Sequence, residues 1–321
     1  MHRVRVVTRI DECRDIWQQV IPDEYITDLW EVRACFQQYY KRRPVFIVAE
    51  DQGGICGLMP LSWIDESRNY GYFPGETWNG KTWLEQNRIY ASNRSVMHDL
   101  IRHCPPRFSL RYLSASVSTP AITAAVDEIG YVFLPEYYNY DMENYFREFS
   151  HKSIKQILRE VSNIENMGTT YRYDKIADFG LLLEMNIKRF GSESYFYDNR
   201  FRESFKSLIS FLAEKDWLRF TTLLINDEPA AVDMGCLYRG VYTLMAGATS
   251  SKYPGVAKVI NLHHMKRACQ ERMQQVDFMC GDFTWKKIFH LSPRPLFLLS
   301  NIAAKVSLAG IDKFTRRAAN V

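Results

Sequence analysis

Apolar and polar positions follow the same order in two places along the chain, which predicts a repeated unit of a helix followed by a strand pair. The first copy pairs the apolar runs 45–50 and 55–61 across a short polar turn, and the second pairs 218–225 and 230–237 in the same way. A segment of helical period precedes each pair, with apolar positions at Leu29, Val32, Phe36 and Tyr40 and at Phe201, Phe205, Leu208, Ile209 and Leu212. Unless two hairpins are alike by chance, the fold is duplicated and a cleft lies where the halves meet.

The remaining pattern predicts a mixed α/β fold of two tandem halves, 1–148 and 149–321, each a mostly antiparallel sheet flanked by helices. Helices are predicted at 94–103, at 149–167, at 178–190 and from about 118 to a cap at Gly130. Strands are predicted at 108–113, 131–134, 169–173, 240–248 and 276–280. The second half is expected to end in a helical tail that includes Leu296 to Arg317.

Composition limits the class of protein. The 321 residues are 46% hydrophobic and 24% charged, with a net charge of +4, which suits two globular cores and is too small a charge to indicate a DNA-binding protein. Seven cysteines without a CxxC pair indicate reduced thiols. Neither a secretory signal nor a membrane span is visible, so we expect a cytoplasmic protein, with the tail as a possible peripheral membrane contact.

A glycine- and tryptophan-rich stretch at 70–83 follows the first hairpin. Such a loop can bind a ligand because a rigid scaffold presents it, and it can equally be a structural turn packed by its own tryptophans. The helix predicted at 149–167 carries His151, Lys152, Lys155 and Arg159 on one face. That face suits a phosphate or an anionic acceptor, or it is a solvated surface.

The segment 250–258 joins a strand to a helix through a tight glycine turn, an arrangement that receives phosphate. Free backbone N–H groups and the positive end of the helix dipole would both point at the anion, although an ordinary turn has the same pattern. Residues Tyr253, Gly255, Val256, Ala257 and Lys258 are therefore the candidate donor-binding residues.

A short strand at 276–280 ends in Gly281-Asp282, and Lys286 follows four residues later. A carboxylate and an ammonium just past a strand end can face one crevice and orient or neutralise reactants, or they can form an exposed salt bridge. His263 and His264 lack ligand spacing, so no metal is expected.

Four segments together resemble one family: the helix start 150–156, the hairpin 225–231, the turn 253–255 and the segment 277–286. They are similar to the CelD/FemAB-like branch of the GNAT acyltransferase superfamily, and the first hairpin, ending at Leu61, resembles that family's N-terminal half. The resemblance implies two GNAT-like folds and transfer of an acyl group from acyl-CoA, or from an aminoacyl-tRNA, to an amine or hydroxyl. The family's Gly-Asp-x-x-Tyr-Lys element corresponds to Gly281, Asp282, Trp285 and Lys286.

Acyl transfer to an amine needs a deprotonated nucleophile, a polarised carbonyl and a held leaving group. Asp282 is the first candidate to deprotonate or orient the acceptor. Lys286 is the candidate to neutralise a phosphate or the developing oxyanion. Asp233 is a second candidate carboxylate, and Tyr242 or Tyr253 a candidate proton donor.

We expect an acyltransferase that uses acyl-CoA and acts on a polar metabolite or on an envelope or polysaccharide precursor. An aminoacyl-tRNA-dependent transferase is the alternative enzyme, and a binding or assembly protein without catalysis is the alternative outside enzymes.

Overall fold

The computed structural model describes residues 2–114, 125–281 and 283–302. Its helices are α1 (Ile10–Val20), α2 (Trp30–Tyr40), α3 (Arg94–Arg102), α4 (Met142–Phe146), α5 (His151–Glu165), α6 (Phe179–Phe190), α7 (Asn199–Glu214), α8 (Val256–Gln270) and α9 (Thr284–Ile288). Its strands are β1 (Arg3–Val7), β2 (Pro44–Asp51), β3 (Gly54–Ile64), β4 (Asn69–Tyr72), β5 (Tyr90–Ala91), β6 (Ser109–Ser114), β7 (Ala125–Phe133), β8 (Thr169–Tyr173), β9 (Leu218–Ile225), β10 (Glu228–Tyr238), β11 (Val241–Thr249), β12 (Gln275–Cys280) and β13 (Ser292–Ser300).

These strands form two sheets. One has the order β1-β2-β3-β4, with β5 also paired to β3. The other has the order β6-β13-β7-β12-β11-β10-β9-β8. Most pairings are antiparallel, whereas β11 and β12 are parallel. The mixed α/β fold class predicted from the sequence is confirmed.

The chain passes twice through the same series of elements. The series β1-α1-α2-β2-β3-β4 is followed by helix α3 and strand β6, and the series β8-α6-α7-β9-β10-β11 by helix α8 and strand β12. In the second hairpin the two turn residues, Asn226 and Asp227, both have positive φ, which gives the turn whose twist suits antiparallel strands. The repeat predicted from the two hairpins is therefore present at the level of whole halves.

The two halves are interleaved in the larger sheet. Strands β6 and β7 come from residues before 148, yet β7 lies between β12 and β13. The division at 148/149 remains a prediction about domains.

Two local predictions are wrong. Gly130 does not end a helix, because it lies within β7 and pairs with Cys280 on one side and Arg294 on the other. Leu296 to Leu299 do not begin a helical tail, because they belong to β13 and pair with β6 and β7. In both segments, pairing with neighbouring strands of the sheet overrides the helix predicted from the local sequence. The rest of the predicted tail, from 303 onward, lies outside the described residues.

An aromatic core joins the halves. Phe36 of α2 and Phe205 of α7 are fully buried, with ring centroids 6.2 Å apart, and Trp83 lies 4.9 Å from Phe205. Large aromatic surfaces buried in this way dominate the stability of a contact between two units. This core fixes the position of the cleft described next.

Candidate active site

A wedge opens between β4 and β6 in the first half. The two strands meet in a single parallel bridge between Tyr70 and Phe108, where the Tyr70 N–H donates to the Arg107 carbonyl at 2.9 Å. No ladder continues beyond that bridge in the described part of the chain. The second half repeats this geometry, since β11 and β12 pair only from Val241 and Gln275 to Thr243 and Asp277.

Arg33 closes the far end of the first wedge. Its Nη1 donates to the Phe73 carbonyl at 3.1 Å, its Nη2 to Asn87 Oδ1 at 2.8 Å, and its Nε to the Thr27 carbonyl at 2.8 Å. The guanidinium is almost completely buried and its acceptors are neutral. Burial therefore lowers the pKa of Arg33, against the opposing effect of nearby acidic groups.

The wedge is the floor of a cleft of about 580 Å³ between the halves. One wall comes from β4, from the loop 75–82 and from β6. The other wall comes from the second half, with Ser192, Ser194, Tyr197, Asp198 and Arg200. This volume lies within the range of small-molecule sites, roughly 300–1,000 Å³. The cleft is therefore the candidate acceptor site at the junction that duplication predicts.

Glu76 is the carboxylate in this cleft without an arginine partner. Its Oε1 accepts hydrogen bonds from Thr82 Oγ1 at 2.6 Å, from the Leu84 N–H at 2.8 Å and from the Trp83 N–H at 3.1 Å. Its Oε2 makes no hydrogen bond to any residue in the described ranges. Burial raises the pKa of Glu76, although the hydrogen bonds on Oε1 oppose that rise. One oxygen is thus held in place, and the other has no hydrogen-bond partner among the described residues.

The other charges of the cleft are neutralised within its walls. Arg200 binds Asp198 at 2.7 Å and Glu66 at 2.8 Å, and these contacts lower the pKa of both carboxyl groups against the effect of burial. Arg111 makes a bidentate contact to Asp127 through Nε and Nη2. These paired groups shape the cleft without giving it a strong net charge.

The segment 83–88 separates this cleft from the end of β12. Leu84 and Asn87 line the cleft, whereas Glu85 and Gln86 turn the other way. Glu85 Oε1 accepts the Cys280 N–H at 2.8 Å, and Gln86 Nε2 donates to Asp277 Oδ2 at 3.1 Å. Hence the first half fills part of the region where β11 and β12 diverge.

Lys286 is buried beneath the end of β12. Its Nζ donates to the carbonyls of Phe278, Met279 and Cys280 at 2.8–2.9 Å, and burial lowers its pKa to about 8. The ammonium therefore holds the strand end, where Met279 has a φ of 55°. Asp282, the first candidate carboxylate of the sequence analysis, lies outside the described residues.

Asp233 and Tyr242 are brought together around His264, a residue that sequence reasoning considered only as a metal ligand. Asp233 Oδ2 lies 2.9 Å from His264 Nε2, and the Tyr242 and His264 rings are 5.0 Å apart. The Tyr242 hydroxyl is buried without a partner in the described ranges, and burial raises its pKa. This cluster lies under α8 and is not part of the cleft.

The predicted donor loop lies at the start of α8. Gly255 is the residue before the helix, with a φ of 93° and open space around the position of a Cβ. The Val256 N–H donates to the Tyr253 carbonyl at 3.2 Å and the Lys258 N–H to the Gly255 carbonyl at 2.9 Å. For the Ala257 N–H, the described residues offer no such backbone carbonyl. Lys258 Nζ pairs with Glu160, and the Tyr253 hydroxyl donates to Glu228 at 3.0 Å.

None of the residues named as catalytic or donor-binding from the sequence lines the cleft in the described part of the chain. The stretch 70–83, for which the sequence allows either a binding loop or a structural turn, supplies Glu76 and much of one wall. Its glycines and tryptophans were the signal available in the sequence. The facing residues Tyr197 and Arg200 had no such signal, because only tertiary packing brings them to the cleft.

Within the described ranges, no group of three or more His, Cys, Asp or Glu side chains is arranged to hold a metal ion. The helices described for this chain include none with the length and apolarity needed to cross a membrane.

A family model matches the second half of the chain. Residues 151–287 match the family model described as an acetyltransferase (GNAT) domain. No curated protein matches the chain in sequence.

Solved structures show the same fold over nearly the whole chain. A conserved protein of unknown function from Bacteroides thetaiotaomicron is 12% identical, with a TM-score of 0.56 over 93% of this chain and 99% of the other. FemX is 10% identical, with a TM-score of 0.54 over 92% and 96%. The C-terminal domain of a putative lysylphosphatidylglycerol synthetase from Agrobacterium fabrum is 9% identical, with a TM-score of 0.51 over 88% and 90%. The chain thus contains a GNAT-type acetyltransferase domain over residues 151–287 and shares the fold of FemX over nearly its whole length.

Proposed function

We propose that this acyltransferase transfers an acyl group to an amine or hydroxyl of a polar acceptor held in the cleft between the halves. The observation that carries the proposal is Glu76, a buried carboxylate with one oxygen fixed by three donors and the other unpartnered at the cleft. An amine or hydroxyl attacks a carbonyl only as it loses its proton. Glu76 Oε2 is the group we assign to receive that proton.

The electrostatics of Glu76 suit this role. Burial raises its pKa, and a general base works best when its pKa lies near the working pH. The hydrogen bonds on Oε1 keep the carboxylate in one orientation, so that little reorganisation accompanies proton transfer. Arg33 at the end of the wedge stabilises the charged form of Glu76 and limits the rise of its pKa.

For the donor we propose acyl-CoA, bound with its phosphates at the start of α8. The open space at Gly255 and the Ala257 N–H support an anion there. Hydrogen bonds through Asn186 link the wall of the cleft to the end of β11, close in sequence to this region. Ser194 in the cleft wall donates to Asn186 Oδ1 at 2.7 Å, and Asn186 Nδ2 reaches the Gly247 carbonyl at the end of β11, eight residues before Gly255.

The other sequence-predicted groups enter the proposal in different roles. We propose that Asp282 orients the donor or acceptor at the end of β12, and that Lys286 positions that strand end through its three carbonyl contacts. Asp233 and Tyr242 support α8 through His264.

An aminoacyl-tRNA is the second candidate donor. Similarity to FemX and to a protein named as a lysylphosphatidylglycerol synthetase supports it, as does the exposed face of α5 with Lys152, Lys155 and Arg159. None of these three cations has an ion-pair partner within the described ranges. Such a donor requires salt-sensitive binding to a basic surface.

Calorimetric titration and thermal unfolding with acetyl-CoA, CoA and longer acyl-CoAs test the donor. In the unfolding measurement, a ligand at 100 times its Kd should stabilise the protein by about 2.7 kcal/mol. Gly255→Glu should abolish this binding, because the side chain adds bulk and negative charge at the phosphate position. Gly255→Ala is the matched control, since it brings the same strain at positive φ without the charge. Saturable binding of aminoacyl-tRNA and of no acyl-CoA would replace the first donor by the second.

A further inference from the structure

The residues that line the cleft also bear on the chemical class of the acceptor. We propose that the acceptor is a carbohydrate, with a sugar ring against Tyr197 and Trp78 and its hydroxyls on the neutral polar groups of the walls. This inference rests on the proposed function, because it assigns the acceptor of the same cleft.

The first argument is the charge balance of the lining. Three arginines and three carboxylates line the cleft: Arg33, Arg111, Arg200, Glu66, Glu76 and Asp198. Arg200 and Arg42 together neutralise Glu66 and Asp198, and Arg111 is paired with Asp127 behind the wall. The cleft therefore has no excess of either sign that would favour a polyphosphate or a polycation.

The second argument is the set of unused neutral groups. The hydroxyls of Thr77, Ser109 and Ser192 line the cleft and have no hydrogen-bond partner in the described ranges. A hydroxyl both donates and accepts, as each hydroxyl of a sugar does, so the two surfaces can pair in many orientations. Glu76 Oε2 adds a hydrogen-bond acceptor in the same wall.

The third argument is the aromatic surface. Tyr197 lines the cleft, yet 61% of its surface is exposed. Trp78 also lines the cleft, with its ring packed on Tyr195 and Phe201 at 5.4 and 5.6 Å. A rigid aromatic ring offers contact area at little cost in conformational entropy, and the apolar C–H face of a sugar ring matches it. Aromatic rings and hydroxyl groups in one cleft suit a ligand with apolar faces and a polar rim.

A binding measurement on the full chain without any donor tests this inference. Tryptophan fluorescence and calorimetry are used to titrate cellobiose, chitobiose and maltose, with L-lysine and spermidine as non-carbohydrate probes. We expect at least one saccharide to bind saturably and neither non-carbohydrate to do so. Tyr197→Ala should weaken that binding at least tenfold, whereas Tyr137→Ala, at an exposed tyrosine outside the cleft, should leave it unchanged.

The possible outcomes are distinct. Binding of L-lysine or spermidine in place of every saccharide, or saccharide binding that Tyr197→Ala leaves intact, would overturn the carbohydrate assignment. Acyl transfer to an acceptor that is not a carbohydrate would also overturn it, while leaving the proposed function in place. Saccharide binding lost in Tyr197→Ala, but with no transfer from any donor, would support the assignment and count against the proposed acceptor chemistry.

Discussion

At the scale of single residues, two buried glutamates near one loop have different environments. Glu76 has one oxygen held by three donors and the other at the cleft, whereas Glu85 Oε2 is buried without a partner in the described ranges. Both carboxyl groups have a raised pKa because burial disfavours their charged form. The first environment suits acceptance of a proton from a bound ligand, and the second affects stability.

Glu76→Gln should lower kcat by about 100-fold or more, because general-base catalysis typically contributes a factor of 10²–10⁴. The amide oxygen still accepts the hydrogen bonds of Thr82, Trp83 and Leu84, so Tm should change little. In the native enzyme, kcat should fall as pH drops through the raised pKa of Glu76, and the variant should lose that dependence. A large fall in Tm with kcat preserved would make Glu76 a structural residue.

Glu85 should make the protein less stable as pH rises. Burial raises its pKa to about 7, so the folded state retains a proton that the unfolded chain has already lost. The contribution is fully present below the unfolded value of about 4.3 and is lost as pH rises through about 7, at up to roughly 1.4 kcal/mol per pH unit. Denaturant unfolding of the native protein and of Glu85→Gln between pH 5 and 8 measures it. Parallel curves for the two proteins would contradict the assignment.

At the scale of elements, the ends of β4 and β12 define the two places where parallel neighbours diverge. Arg33 and Asn87 close the first wedge, and the segment 83–88 fills part of the second. Lys286 then fixes the end of β12 by bonding three successive carbonyls. The strand end keeps its irregular backbone because these carbonyls have an internal donor.

Lys286→Met should destabilise the fold by about 3 kcal/mol or more, because each buried carbonyl left without a donor costs about 1–3 kcal/mol. Lys155→Met, at an exposed position of α5, is the matched control and should change stability by less than about 0.5 kcal/mol. Denaturant unfolding gives both values. Equal stability of the two variants would show that the carbonyls find other donors.

At the scale of the whole molecule, the halves share a sheet and an aromatic core. Strand β7 lies between β12 and β13, and Phe36 packs against Phe201 and Phe205. Neither half can lose its structure without exposing surface of the other. The cleft between the halves exists only while both halves are in place.

The protein should therefore unfold in one cooperative transition. Phe36→Ala should move that transition to lower temperature and cost about 3–5 kcal/mol, as expected for a buried aromatic residue. Tyr39→Ala, on the more exposed side of the same helix, should have a much smaller effect. Differential scanning calorimetry that resolves two transitions, with Phe36→Ala shifting only one, would show that the halves unfold independently.

Local patterns in the sequence predicted the duplicated helix–hairpin units and the mixed fold class, and four segments carry the GNAT resemblance. The repeated units and the fold class depend on periodicity and turn chemistry, which act between residues a few positions apart, as in the two-residue turn at Asn226 and Asp227. The sequence also marked the stretch 70–83 that supplies Glu76. Only the tertiary structure placed Tyr197 and Arg200 opposite that stretch, turned Lys286 toward three carbonyls, and made the segment around Gly130 a central strand. Those outcomes depend on contacts between residues far apart in the chain, which local pattern does not encode.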